Sequence, residues 1–467
     1  MIQSILTFLS LANNKIHDAI FVDIFPGIIQ MPFLIGLLIF ACVFFTIQTR
    51  FINFRYFKDI FDYKSSNSKT DVDGISSIKS LITGIAGSVG VGSIAGVAIA
   101  VNLGGPGAVF WIFMAGVFSM SFRFVEVFLA HRYREIDSDG KITLYGPYAY
   151  MVNGLKEFGF KKSGVAMSYI FAVLFCFSSL GGANSFQSNQ SVGIFSTSFF
   201  HGTMQSKLII SFILSIGIGV VIIGGIKRIA SFAHVMVTIL GAIYLVIMSL
   251  ILFFNRGNIL WGLNEIISSA LNVKALLSSF IPALIHGVQR SLFADEVGFG
   301  SVPMMHSSSS NKDSFDEAIK SMAGPFFCSS VVCTLNGFAL VCSKSFLEVG
   351  LQGAEFMRHS YSTVHPYLAN LLPFIMLAFS YCVAVSWFYY GESSISYLLK
   401  NKKGYKYYLL SYKLIYCLCF IFGAVANLDV ILIFMDNVTL GAAIPNTIIL
   451  MLICSKAPWK KSQYKPN

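Results

Sequence analysis

Three ionisable side chains lie close together near the end of an apolar segment, in the stretch GVQRSLFADEVGFGSVPMMHSSSS (residues 287–310). They are Arg290, Asp295 and Glu296. Carboxylate oxygens bind hard cations such as Na+, and a buried carboxylate can also load and release a proton. Arg290 is compatible with a functional role or with a helix end whose side chain reaches the membrane surface. For the two carboxylates a functional role is favoured, because they pack poorly beside glycine-rich backbone.

A second glycine-rich stretch, GSVGVGSIAG (residues 87–96), lies in the middle of a long apolar run. Glycine lets a chain leave helical geometry at little cost. The freed carbonyl oxygens can then bind a cation, and the new helix start can bind a carboxylate. The alternative is a face of small residues for close helix packing. The spacing alone leaves both interpretations open.

Amide side chains occur in a third segment, GGANSFQSNQS (residues 181–191). Asn184 and Gln187 are three residues apart, so a regular helix would place them on one face, where they could bind a zwitterion. Hydrogen bonding between helices is the alternative. Trp387, in SWFYYGE (residues 386–392), is interpreted either as part of an interfacial aromatic belt or as a pocket wall.

Arg123 and Glu126 also have a three-residue spacing and are predicted to form a structural ion pair near a helix end. The eight histidines are scattered along the chain, and the cysteines lack the clustered spacing of a metal site. An enzyme is therefore disfavoured. We expect no cofactor and no metal beyond a transported cation.

The elements that position these residues are membrane helices. The chain has 467 residues, of which 55% are hydrophobic and 12% charged, and its mean hydropathy is +0.71. Several segments of about 18–25 residues carry few or no charges, which is typical of a helical protein that crosses the membrane many times. The nine cysteines lie almost entirely in apolar segments and are predicted to be small core residues. We predict no removable signal peptide in the first twenty or so residues.

Hydropathy predicts eleven transmembrane helices, with ends uncertain by several residues. They lie at about 29–49, 78–102, 106–130, 165–195, 208–224, 230–254, 276–298, 320–343, 367–393, 408–427 and 430–454. The long loops run to only about thirty residues, so we expect a single transmembrane domain over residues 1–467 and no soluble domain.

The positive charges indicate the orientation. With the N-terminus outside and the C-terminus in the cytoplasm, cytoplasmic segments hold about 24 Lys and Arg and outside segments about 6. The formal net charge of +11 is thereby explained by topology. A nucleic-acid partner is disfavoured, and the expected surroundings are the lipid bilayer.

Two elements about 200 residues apart resemble each other. GSVGVGSIAG and EVGFGSVP (residues 296–303) both interrupt an apolar helix with glycine and serine, and the second also contains proline. Such paired interruptions point to a secondary transporter built from inverted repeats.

The sequence resembles the alanine or glycine:cation symporter family, within the amino acid-polyamine-cation superfamily. The resemblance starts in GSVGVGSIAGVAIAVNLGGPGAVFW and continues through FVEVFLAHRYRE, YGPYAYMVNG, GGANSFQSNQ, GGIKRIA, VQRSLFADEVGFGSVPMMH and WFYYGE in the same order. It covers about residues 25–455, and seven blocks in register are far more specific than any one of them.

The resemblance implies an all-α, eleven-helix symporter with the leucine-transporter-like fold, in which inverted five-helix repeats surround a midplane site on two broken helices. The extra N-terminal helix would be at about 29–49, the repeat-containing core at about 78–427 and the last helix at about 430–454. The implied location is the bacterial cytoplasmic (inner) membrane.

The implied ligands are a small neutral amino acid, alanine or glycine, and a monovalent cation, usually Na+, moved by alternating access. No obligate protein partner is indicated. The implied substrate site comprises Gly90, Gly92, Ser93, Ala95, Asn184, Gln187 and Trp387. The candidate cation site comprises Ser88, Val91, Ser93, Asp295, Glu296, Cys382 and Val383.

The sequence departs from the family pattern where a cation would bind. Val91 stands where Thr is usual, Ser93 and Asp295 where Asn is usual, and Cys382 and Val383 align with a Ser-Thr pair. Because Na+ prefers oxygen ligands, three coupling modes stay open: Na+ held mostly by backbone oxygens, H+ carried by Asp295 or Glu296, or weak or lost coupling. A separate alternative is an amino-acid sensor of the same fold that has lost transport. A channel is disfavoured because two isolated helix breaks do not form a continuous pore.

Overall fold

The computed structural model of the chain describes residues 23–25, 29–62, 72–272, 276–351 and 353–457. The prediction about the absence of a signal peptide falls on residues outside this part. Within it, the architecture is helical, and the strands are confined to two short antiparallel pairs, β1 (Asp23–Phe25) with β2 (Ile29–Pro32) and β3 (Glu135–Ile136) with β4 (Ile142–Leu144).

The helices are listed here in chain order. They are α1 (Phe33–Gln48), α2 (Ser77–Ser88), α3 (Val91–Gly104), α4 (Ala108–Arg132), α5 (Lys161–Phe199), α6 (Met204–Ile222), α7 (Gly225–Phe254), α8 (Ile259–Ala270), α9 (Ile281–Ala294), α10 (Ser301–Ser307), α11 (Ser314–Cys342), α12 (Ala354–Ser362), α13 (Leu372–Leu399), α14 (Tyr405–Gly423) and α15 (Leu428–Cys454). Shorter helical turns connect them at Ile52–Arg55, Lys58–Phe61, Gly146–Ala149, Tyr150–Gly154, Leu155–Glu157, Arg256–Asn258, Leu276–Phe280, Ser345–Leu347 and Pro366–Ala369.

Seven helices in the described residues are long and apolar enough to cross a membrane: α4, α5, α6, α7, α11, α13 and α15. The pair α2–α3, bent by 48° at its break, makes eight if it is one span. The predicted number of eleven is therefore not confirmed. Each of the other three predicted spans contains a helix, but α1 has 16 residues, α9 has 14, and α14 is rich in lysine and tyrosine.

The inverted repeat stays a prediction, whereas both predicted helix breaks are present. The first separates α2 from α3, and the second separates α9 from α10. In the packed molecule, α9 lies against α3 and α4, while α10 lies against α2 and α4. Helix α13 packs on α2 and α5. The two breaks are thus brought together within one helix bundle, as the predicted site requires.

The nine cysteines are all free, seven of them buried and two, Cys417 and Cys419, partly exposed. The prediction of small core residues is confirmed for the seven buried cysteines. Hydropathy missed the helices α8 and α12 and both strand pairs, because these elements are too short or too amphipathic to produce an apolar window.

Candidate functional site

The first break is two residues long. Helix α2 ends at Ser88, and the backbone of Val89 and Gly90 is extended before α3 begins at Val91. A helix start leaves N–H groups without partners inside the helix. Here the Val91 N–H donates to Gln187 Oε1 on α5, at 3.2 Å. A side chain from another helix therefore satisfies the opened backbone, as an interior without water requires.

Gly90 is needed at this break because neighbouring side chains approach its backbone closely. A Cβ placed there would lie 2.8 Å from Val383 Cγ2 and 2.9 Å from Gln187 Nε2. Contacts this short are not tolerated in a packed interior. The glycine thus lets α5 and α13 reach the backbone of the break.

The second break runs from Asp295 to Gly300 and contains three residues with positive φ: Glu296 at 52°, Gly298 at 79° and Gly300 at 82°. Glycine adopts this conformation freely, whereas for Glu296 it costs about 1–2 kcal/mol. Strain of this kind persists only where surrounding contacts fix the residue. The Glu296 carboxylate is fixed by Ser301 Oγ, which donates to Oε2, and by Trp387 Nε1, which donates to Oε1 at 3.0 Å.

Trp387 joins the two breaks. Its Nε1 lies 3.2 Å from the Gly87 carbonyl oxygen on α2 as well as near Glu296, and its ring stacks on Phe175 of α5 with centroids 5.7 Å apart. The side chain is buried. It therefore lies in a pocket wall and not in an aromatic belt at the surface.

The predicted ion pair between Arg123 and Glu126 is present and buried, at 3.1 Å. It supports the second break. Arg123 Nη2 donates to the Asp295 carbonyl oxygen, and Glu126 Oε1 accepts from the Gly300 N–H at 3.0 Å. Asn446 of α15 adds a bond from Nδ2 to the Gly298 carbonyl oxygen at 2.8 Å. Three buried side chains thus hold both ends of the irregular segment.

Asp295 points away from Glu296. Its Oδ1 accepts from Ser329 Oγ at 2.6 Å, and its Oδ2 accepts from Ser291 Oγ at 3.3 Å. It borders a small cavity of about 10 Å³ that Ser88 and Cys328 also line. The two neighbouring carboxylates therefore face different environments, one toward α11 and one toward Trp387.

A cavity of about 490 Å³ lies between the breaks and extends along α3 and α9. Of the predicted residues, it is lined by Ser88, Gly92, Gln187, Glu296, Val383 and Trp387. A concave space of this volume with a few converging polar groups is typical of a small-molecule site. The described residues contain no group of three or more His, Cys, Asp or Glu side chains that could hold a metal ion.

The other predicted site residues, all of them described, lie outside the wall of this cavity: Gly90, Val91, Ser93, Ala95, Asn184, Asp295 and Cys382. Ser93 and Cys382 are fully buried behind the wall. Asn184 Nδ2 donates to the Tyr416 carbonyl oxygen at 2.7 Å, so its amide bonds α14. Asn184 and Gln187 therefore do not line the cavity together, and the Asn184 amide makes a contact between helices.

Arg290 was left undecided by the sequence, and the structure places it in the cavity wall. Its guanidinium lies against Gly92 and Gly96 of α3, so closely that a Cβ at either glycine would overlap it. The i, i+4 spacing of these glycines is the signal that could have indicated a groove for a long side chain.

Comparison with known proteins finds a matching sequence family and a similar fold. The sequence model of the sodium:alanine symporter family matches residues 15–467. The sodium/alanine symporter AgcS of Methanococcus maripaludis is 31% identical over 429 residues, which are 90% of this chain and 92% of that protein. The probable sodium/glutamine symporter GlnT of Bacillus subtilis is 30% identical over 416 residues, 88% of this chain and 83% of its own.

Among solved structures, a Na+-coupled sialic acid symporter in a substrate-bound, outward-open state is similar, with a TM-score of 0.54. The match covers 90% of this chain and 86% of that one, at 14% sequence identity. At this identity the likeness concerns the fold alone.

Proposed function

Because the chain belongs to the sodium:alanine symporter family, whose members are multi-pass membrane transporters, we propose that it imports a small neutral amino acid together with a cation. Alanine or glycine is the proposed substrate, and Na+ the proposed cation. The observation that carries the proposal is the cavity of about 490 Å³ that residues of both helix breaks border. Transporters of this kind bind substrate where broken helices expose backbone polar groups near the bilayer midplane.

The proposed substrate lies against the first turn of α3, near Gly92, with Gln187 and Trp387 on either side. Both side chains line the cavity, and each has an amide or indole group whose position is set by a bond to broken-helix backbone. We assign no ligand contact to Gly90, Ser93 and Ala95. These small residues keep the start of α3 slim, so that neighbouring helices can pack closely against it. Asn184 is not included in the proposed substrate contacts, because its amide bonds α14.

The charges around the breaks favour a coupling cation. Two guanidinium groups, of Arg123 and Arg290, accompany three carboxylates, of Glu126, Asp295 and Glu296. With all five groups ionised, one negative charge is in excess in a region where uncompensated charge is costly. A zwitterionic amino acid adds no net charge, whereas one monovalent cation balances the excess.

We place the proposed Na+ beside Asp295. The carboxylate and the hydroxyls of Ser329 and Ser291 supply oxygen atoms, which Na+ prefers, and Ser88 borders the same small cavity. Glu296 is a weaker candidate because it lines the larger cavity, where the amino acid is proposed to bind, and its oxygens accept from Ser301 and Trp387. Val91, Cys382 and Val383 offer no side-chain oxygen, so they contribute at most their carbonyl groups.

Proton coupling is the second candidate, and the lack of side-chain oxygen at Val91, Cys382 and Val383 favours it. Where Val91, Cys382 and Val383 replace oxygen ligands, a buried carboxylate such as Asp295 could balance its charge with a proton instead of Na+. The amino-acid site is the same in both cases.

Uptake into proteoliposomes distinguishes the two. Purified full-length protein is reconstituted, and radiolabelled alanine and glycine uptake is measured with an inward Na+ gradient at equal pH, then with an inward H+ gradient in Na+-free buffer. We expect stimulation by the Na+ gradient alone. Stimulation by the pH gradient alone would establish H+ coupling, and uptake indifferent to both would refute coupled transport.

The proposed location is the bacterial cytoplasmic membrane with the C-terminus inside. The distribution of Lys and Arg among the loops supports this orientation. Labelling of a cysteine introduced at Lys403, in the connection between α13 and α14, by a membrane-impermeant reagent would test it: labelling in intact cells would place this connection outside and reverse the orientation.

A further inference from the structure

Arg290 is a basic side chain inside the cavity. It lies near the end of α9, and its guanidinium fits against α3 only because positions 92 and 96 are glycine. Two residues without side chains, one helical turn apart, thus leave a groove that the arginine occupies. This placement brings a positive charge to the first two turns of α3, next to the first break.

The guanidinium differs from that of Arg123, the other arginine in this region. Arg123 bonds Glu126 and the Asp295 carbonyl oxygen. Arg290 Nε is buried and has no hydrogen-bond partner among the described residues, and none of the ion pairs in that part of the chain includes Arg290. A buried guanidinium N–H without an acceptor is unfavourable. A group that supplies an anion would remove this penalty.

We propose that Arg290 binds the α-carboxylate of the amino-acid substrate, between α9 and the first turn of α3. The inference rests on the proposed function and adds the group that recognises the acid end of the substrate. A planar guanidinium can hold a carboxylate through two parallel hydrogen bonds. The positive end of the α3 dipole lies on the same side and acts in the same direction.

The opposite end of the substrate then faces acceptor groups. Glu296 and the break at Ser88 border the same cavity, so the ammonium group is placed beside a carboxylate and backbone carbonyl oxygens. Arg290 and Glu296 therefore give the site opposite charges at two ends. Specificity follows: a ligand without its carboxylate, such as alaninamide, loses the contact to Arg290 and keeps the others.

The test uses Arg290→Gln in the full-length protein reconstituted in proteoliposomes. The KM for alanine and the inhibition constant of alaninamide against alanine uptake are measured for wild type and variant. We expect the KM for alanine to rise about 10- to 100-fold, as for the loss of hydrogen bonds to a charged group, with the alaninamide constant changed less than about threefold. Arg290→Lys should restore part of the affinity.

Arg256→Gln is the matched control, because it removes the same charge from an exposed arginine outside the cavity. It should leave both constants unchanged. An equal rise of both constants in Arg290→Gln would show a structural role and overturn the inference, as would an unchanged KM for alanine. Absence of alanine uptake by the wild type would instead refute the proposed function together with the inference.

If Arg290→Gln fails to fold, Gly96→Ala provides the second variant, since its methyl group displaces the guanidinium without removing it. It should weaken alanine more than alaninamide. An equal effect on the two ligands would again contradict the proposal.

Discussion

The indole N–H of Trp387 is the most direct link between the two breaks, and its removal gives a prediction with a calculable magnitude. Trp387→Phe keeps an aromatic ring against Phe175 but removes the donor that serves Glu296 Oε1 at 3.0 Å and the Gly87 carbonyl at 3.2 Å. A hydrogen bond to a charged group contributes about 1.5–3 kcal/mol, and its loss leaves a buried oxygen short of a donor.

This free energy corresponds to about a 10- to 150-fold change in an equilibrium constant. Because the bond fixes Glu296 and the end of α2 in the cavity wall, we expect a rise of that order in the KM for alanine. The thermal midpoint of the purified protein should also fall, as a smaller ring leaves some volume unfilled. The assay is alanine uptake into proteoliposomes at saturating cation, with thermal unfolding measured in parallel.

Tyr390→Phe is the matched control on the same helix. The ring of Tyr390 packs edge-on against Trp387, with centroids 5.6 Å apart, and its hydroxyl is buried without a hydrogen-bond partner among the described residues. Removing this hydroxyl should change KM less than about threefold, because no bond is lost. If the two variants had the same KM, the indole N–H would not position the site, and the reasoning would be refuted.

Three further predictions concern other parts of the site. Asp295→Asn should change the Na+ dependence of uptake more than the ratio of alanine to glycine transport; a changed ratio with unchanged Na+ dependence would show that Asp295 serves the substrate. Gly92→Leu should abolish uptake because its side chain would overlap the Arg290 guanidinium, whereas Gly193→Leu, whose Cβ would meet open space, should retain it. Asn184→Ala should lower the free energy of unfolding by about 1–3 kcal/mol, because the Tyr416 carbonyl loses its donor, while the KM for alanine stays the same; a raised KM would return this side chain to the substrate site.

The sequence indicated both helix breaks through two glycine-rich interruptions about 200 residues apart, whereas GSVGVGSIAG alone was also consistent with close helix packing. The sequence could not predict that two adjacent side chains at a break point into different environments. Asp295 and Glu296 point in different directions because Glu296 has a positive φ, which turns the chain in a way that helical spacing does not describe.

Local backbone geometry also explains why Asn184 does not line the cavity with Gln187. The spacing to Gln187 predicted a common face, but residues Ser179–Ser185 form a π-helical turn. A wider turn shifts the register of the following residues, so i, i+3 no longer means the same face. The predicted number of eleven spans is not confirmed, and for one of them the reason is that α9 ends at the break and is only 14 residues long.

In the proposed transport cycle, cation and amino acid bind around the same two breaks and stabilise each other. Thermodynamic linkage then requires that Na+ lower the Kd for alanine by the same factor by which alanine lowers the Kd for Na+. Both constants can be measured by equilibrium binding to purified protein in detergent, over a Na+ series with K+ as replacement. Equal factors of about 5-fold or more, typical of such coupling, are the predicted result. Alanine binding with the same Kd at every Na+ concentration would contradict the claim.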